Sequence, residues 1–157
     1  MNVYLDATIV LRQLLGTGDS WEGWGKWEKA YASMLLRTEC SQAANRMRAS
    51  GAIDDAQRAR LGTWIETVCS SVTLIPVTEG ILRRAAEPLP TAPGLLRSLH
   101  LATMLELQSA HGVTCAMATG DEALMRAAES LGFENALAAS APTAGAEEGS
   151  SSEENKA

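Results

Sequence analysis

Three acidic side chains, Asp6, Glu39 and Asp121, occupy places in this sequence where carboxylate chemistry is possible. Asp6 closes the apolar run Val3-Tyr4-Leu5, and an acid ending a buried strand is costly to desolvate unless it is paired or liganded. Asp121 follows the run of residues 113 to 118 within three residues, at the start of a helix whose dipole by itself favours an acid. Glu39 lies mid-helix at the border of an apolar stripe, where a solvated face explains it as well as a site does. Hard divalent cations such as Mg²⁺ prefer carboxylate oxygen and retain several waters. A cluster of acids holding one or two such ions can activate water and stabilise the charge of an attacked phosphodiester.

The elements that would position these acids follow from periodicity. The opening run reads as a buried strand, followed at once by a helix over roughly residues 8 to 15 that Gly16 closes. Residues 18 to 25 are a loop, and Trp21, Trp24 and Trp27 recur at helical-turn spacing as packing residues. Ser33 can cap a helix to about Ala49, with Leu36, Cys40, Ala43, Ala44 and Met47 as its apolar stripe. Asp54 opens another, in which Leu61, Trp64, Ile65 and Val68 share a face. Residues 73 to 77 are a short strand, 78 to 86 a helix, and the prolines of 88 to 93 a loop. Residues 95 to 108 are apolar on most sides and should form a central helix. Residues 113 to 118 form a buried strand, and Thr119 with Glu122 makes a capping box for a helix over 120 to 131.

Three short strands alternating with helices imply an α/β domain, residues 1 to 139, with three layers (α/β/α) around a short central parallel sheet. Such sheets place their sites beyond the C-terminal ends of the strands, so Asp6 and Asp121 belong to one edge. Residues 140 to 157 are rich in Gly, Ser and Glu without periodicity and read as a disordered acidic tail.

Composition bounds the partners. The chain has 157 residues, enough for one self-sufficient core, with 46% hydrophobic and 20% charged residues. Its formal charge is -6, and part of that lies in the tail, where Glu147, Glu148, Glu153 and Glu154 face only Lys156. An acidic domain is a poor general platform for nucleic acid, so an RNA substrate would require local arginines, bound cations or a partner. Cys40, Cys69 and Cys115 lack the spacing of a zinc knuckle or redox motif and read as buried thiols in a reducing compartment. The N-terminus has no signal-peptide pattern and no run is long enough for a membrane helix, so a cytoplasmic protein is expected.

Read in order, these segments resemble the PIN domain family, and within it the VapC-like toxin ribonucleases. The opening YLDATIVLRQLLG is similar to the family's strand, Asp, any residue, then a hydroxyl residue. AYASMLLRTEC is similar to its second motif, and ATGDEALMRAAESLGF to its last. The resemblance spans about residues 2 to 135 and implies Asp6, Glu39 and Asp121 as metal-binding catalytic acids, with Thr8 and Thr119 as supporting hydroxyls. It implies Mg²⁺ or Mn²⁺ as cofactor, an RNA substrate, a homodimer and a small antitoxin-like protein partner. The third motif departs from the pattern. VapC-like members read Leu-Asp-Ala-Leu-His-Leu-Ala-Thr, whereas this chain reads Leu96-Arg97-Ser98-Leu99-His100-Leu101-Ala102-Thr103. Arg97 stands at the place of an acid, and His100 matches a residue usual there, with a structural role expected.

A guanidinium repels a divalent ion and can pair with the remaining acids. Unit charges about 4 Å apart interact by roughly 4 kcal/mol at an effective dielectric near 20, so metal binding is expected to be weak or absent if Arg97 fills the pocket. An Arg97 swung outward would instead contact an RNA phosphate. Two functions follow: a metal-dependent endoribonuclease with impaired catalysis, or a degenerate PIN domain that binds protein or RNA without cutting. A phosphotransferase or receiver domain is set aside, because Thr8 stands where its second Asp would be and no Gly-rich phosphate loop is present.

Overall fold

The computed structural model of the protein describes residues 1–18, 20–91 and 93–138. The expected tail over 140 to 157 lies outside the described residues. In chain order the elements are β1 (Asn2–Leu5), α1 (Ala7–Leu15), β2 (Lys29–Ser33), α2 (Leu35–Ala49), α3 (Asp55–Ser71), β3 (Thr73–Ile75), α4 (Glu79–Ala85), α5 (Leu95–His111), β4 (Ala116–Ala118) and α6 (Glu122–Ser130).

The strands form one parallel sheet in the order β3-β2-β1-β4. Parallel strands need crossover connections, and here helices supply them on both faces. Successive residues of β1 point to opposite sides. Val3 and Leu5 pack into an apolar cluster with Ile9 of α1, Leu36 and Cys40 of α2, and Leu61 and Ile65 of α3. Tyr4 joins the opposite cluster with Leu101 and Met104 of α5 and Leu124 of α6. The α/β/α layering expected from the pattern is the architecture observed.

β2 was not among the expected strands. Its sequence Lys29-Ala30-Tyr31-Ala32-Ser33 has no β-branched residue, so propensity does not mark it. Its strand state comes from its place between β1 and β3, where four of its five residues are buried. Ser33 therefore ends a strand, although its Oγ still accepts from the Leu35 amide at 3.2 Å. Residues 22 to 25 form turns, and the three tryptophan rings pack on one another, Trp21 and Trp27 stacked with centroids 5.8 Å apart.

Helix ends follow expected chemistry in two places. Gly16 adopts φ 63° to close α1, a left-handed conformation that glycine reaches without steric cost. Asp54 and Gln57 cap the start of α3 reciprocally, at 2.6 and 2.8 Å. α3 buries Leu61, Ile65 and Cys69, an i, i+4, i+8 line, and leaves Trp64 48% exposed, so Trp64 is not on the core stripe. Among the described residues, no helix is long and apolar enough to cross a membrane.

Candidate functional site

The site is built at the C-terminal edge of β1 and β4. Leu5 is in register with Ala118, and the Asp6 amide donates to the Ala118 carbonyl at 3.1 Å, continuing the ladder by one residue. Asp6 then turns the chain into α1 as its N-cap. Its carboxylate is almost fully buried, and Oδ2 collects three donors: the Thr8 amide at 3.1 Å, the Thr8 hydroxyl, and the Thr119 hydroxyl at 2.8 Å. Each hydroxyl carries one proton, and both protons are directed to this charged oxygen.

The hydroxyl oxygens also accept. The Gly120 amide donates to Thr8 Oγ1 at 2.8 Å, and the Asp121 amide to Thr119 Oγ1 at 2.9 Å. Thr8 and Thr119 thus tie the first turn of α1 to the segment that leads from β4 into α6. Thr119 does not cap α6, because its hydroxyl is drawn to Asp6. Asp121 is the N-cap instead, its Oδ1 accepting from Ala123 and Leu124 amides at 3.0 and 3.1 Å.

Glu39 enters from α2 and His100 from α5. The His100 imidazole is 2% exposed, with Nε2 3.3 Å from Glu39 Oε1 and 3.5 Å from Asp6 Oδ1. One ligand atom from each of Asp6, Glu39 and His100 lies within 4.8 Å of the others. On the far side of the ring, Nδ1 is 3.1 Å from the Tyr4 hydroxyl. Burial by itself pushes the His100 pKa down, but the Glu39 hydrogen bond and charge, with Asp6 and Asp121 behind it, hold it above its ordinary value. Burial raises the Tyr4 pKa strongly, so that side chain stays a neutral phenol.

Arg97 lies one helical turn before His100 on α5 and does not join that cluster. Its Nε donates to Asp121 Oδ2 at 2.7 Å, and Nη1 to the Pro93 carbonyl at 3.2 Å. Partial burial opposes ionisation of Asp121, but the Arg97 hydrogen bond and the two helix amides outweigh it and hold its pKa below the usual range. Of the three expected acids, the structure brings Asp6 and Glu39 together with His100, while Asp121 is held beside them by Arg97.

Two cavities flank the site. One of about 530 Å³ is lined by Thr8, Glu39, Arg46 and Leu96, and another of about 390 Å³ by Arg12, Thr119, Gly120 and Arg126. Glu39 Oε2 is buried and, among the described residues, accepts no hydrogen bond. A structural role was expected for His100, and Tyr4 was not expected in the site. For His100 the signal in the sequence was a basic residue within the mostly apolar stretch of residues 95 to 108, one turn after Arg97.

In comparisons with known proteins, no family model matches the chain and no curated protein is matched by it.

Proposed function

We propose that this protein is a metal-dependent endoribonuclease of the PIN type, hydrolysing RNA phosphodiesters at the edge formed by Asp6 and Glu39. The observation that carries the reading is the meeting of the buried Asp6 carboxylate with the partly buried Glu39, whose Oε2 atom is buried and, among the described residues, accepts no hydrogen bond. An unpartnered buried carboxylate oxygen is expensive, and a cation answers that cost. Asp6 and Glu39 hold the ion, Mg²⁺ or Mn²⁺ on the family pattern, and Thr8 and Thr119 fix the orientation of Asp6. When bound there, a divalent ion supplies Lewis acidity toward water and toward the phosphodiester's charge.

The chain's own cations complement that chemistry. Arg12 and Arg46 line the two cavities beside the site, where they can neutralise phosphates on either side of a scissile bond. These arginines are the local positive charge that an RNA substrate requires, and they share the two cavities with Glu39, Glu122 and Glu129. An RNA substrate, a homodimer, an antitoxin-like protein partner and a cytoplasmic location come with the same reading.

One observation favours a second reading. Arg97 already neutralises Asp121, as a built-in cation would in a degenerate PIN domain that binds protein or RNA without cutting. Purified protein incubated with single-stranded RNA and Mg²⁺ or Mn²⁺ separates the two. The nuclease reading expects metal-dependent cleavage that Asp6→Asn and Glu39→Gln abolish. RNA retained but uncut under every metal condition supports the binding module, and cleavage unchanged in Asp6→Asn overturns the proposed site.

A further inference from the structure

We propose that His100 is itself a metal ligand, and that Asp6, Glu39 and His100 together form a site for one first-row transition ion of the zinc type in preference to Mg²⁺. The proposal uses two acids of the nuclease reading, yet it stands or falls on metal binding alone.

The separations support it first. Nε2 lies 3.3 Å from Glu39 Oε1 and 3.5 Å from Asp6 Oδ1. Zinc bonds to nitrogen and carboxylate oxygen of about 2.0–2.2 Å put ligand atoms roughly 3.3–3.6 Å apart across a tetrahedron. An octahedral Mg²⁺ with bonds of about 2.0–2.1 Å brings adjacent ligands to roughly 2.9 Å. Both observed separations fall on the tetrahedral value. The donor set points the same way, because imidazole suits zinc, copper, iron and nickel, whereas Mg²⁺ is served by oxygen alone.

The surroundings are built to orient such a set. Thr8 and Thr119 spend their donors on Asp6 Oδ2, which leaves Oδ1 facing His100. The Tyr4 oxygen, 3.1 Å from Nδ1, can accept from Nδ1–H, the tautomer that turns the Nε2 lone pair toward the carboxylates. Independently of these contacts, Glu39 Oε2 is buried and, among the described residues, makes no hydrogen bond. Of the three ligands, Glu39 lines the adjoining cavity together with Thr8. Three protein ligands leave a fourth position for water or a substrate oxygen, the arrangement of catalytic rather than structural zinc sites. Asp121, held by Arg97 and by the amides of α6, is not one of the three.

The test is calorimetric titration of the full chain, stripped with a chelator, by Zn²⁺, Mn²⁺ and Mg²⁺ in turn, with Co²⁺ absorption as a coordination readout. The proposal expects one Zn²⁺ per chain, bound at least about 100-fold tighter than Mg²⁺. It also expects Co²⁺ bands of a four-coordinate nitrogen and oxygen site, without thiolate charge-transfer absorption. His100→Gln should weaken Zn²⁺ on the order of 100-fold while leaving Mg²⁺ little changed, and Tyr4→Phe should weaken Zn²⁺ by roughly 10-fold, as loss of an outer partner does. Mg²⁺ bound as tightly as Zn²⁺, zinc affinity indifferent to His100→Gln, or no stoichiometric zinc would each overturn it. If His100→Gln does not fold, Glu39→Gln and the Co²⁺ spectrum decide: retained zinc affinity or six-coordinate bands sink the proposal. RNA cleavage with Mg²⁺ and no zinc preference would leave the nuclease reading standing and this one lost; zinc preference without cleavage would do the reverse.

Discussion

Removing the Arg97–Asp121 pair should destabilise the protein modestly, and by an amount that depends on pH. The Nε···Oδ2 distance is 2.7 Å, and the side chains are 41% and 24% exposed. A pair at about 4 Å in an effective dielectric near 20 is worth roughly 4 kcal/mol in raw Coulomb energy. Solvent screening and side-chain entropy bring an Arg this exposed down toward about 1 kcal/mol. Arg97→Ala should therefore cost about 1 kcal/mol at neutral pH by urea denaturation. Asp121→Asn should cost a similar amount, because Asn keeps the helix cap; Asp121→Ala loses the cap as well and should cost about 2 kcal/mol. The folded pKa of Asp121 is depressed, so the pair's contribution is fully present above the unfolded value near about 3.9. It is lost as pH falls through the folded value. The gap between the natural sequence and Arg97→Ala should be level from about pH 5 to 8 and close on acidification below about pH 4. A gap that persists unchanged at pH 3, or a double-mutant cycle of Arg97→Ala with Asp121→Asn showing no coupling, would refute the pairing as an energetic link.

Other perturbations test the same structure. Arg97→Asp removes the cation that holds Asp121 and restores an acid beside the site, so calorimetry should show Mn²⁺ binding strengthened at least about tenfold, equivalent to about 1.4 kcal/mol; an unchanged affinity would mean that Arg97 does not control the local charge. Ile65→Ala, in a position 1% exposed, should cost roughly 2–5 kcal/mol in denaturation, while Trp64→Ala on the open side of α3 should cost about 1 kcal/mol or less. Equal costs would contradict the face assigned to α3. Asp54→Ala breaks the reciprocal cap of that helix and should cost about 1 kcal/mol by the same assay.

The outline of the fold was legible where apolar runs are bounded by chemistry. Val3-Tyr4-Leu5 followed by Asp6 marks a buried strand and a helix start, and both are observed. β2 was not legible, because an alanine-rich strand is defined by its neighbours and not by its own residues. The stripe of α3 was misjudged because Trp64 satisfies i+3 spacing, yet Leu61, Ile65 and Cys69 form the line that meets the sheet. Thr119 matched a capping pattern two residues early, since local spacing cannot reveal that its hydroxyl serves Asp6, 113 positions away.

The site shows the same division. Asp6 and Asp121 could be assigned to one edge from topology, because each follows a parallel strand and those strands turn out to be neighbours. Glu39 could be named only through a resemblance, since nothing in its helix distinguishes it from a solvated acid. The partnership of His100 with Tyr4, Glu39 and Asp6 depends on α5 crossing the sheet at a particular rotation, which one helix's periodicity does not determine. Likewise, Arg97 was recognisable as a departure, but its choice of Asp121 over the other acids is a matter of side-chain reach.

The claim on which the functional account depends is that Asp6 and Glu39 jointly bind a divalent cation. Titration of the natural chain with Mn²⁺ in a calorimeter, beside Asp6→Asn and Glu39→Gln, measures it without reference to any substrate. The account predicts one ion per chain, with binding lost or weakened by at least about tenfold in either variant. Absence of binding, or an affinity that neither substitution alters, would contradict it.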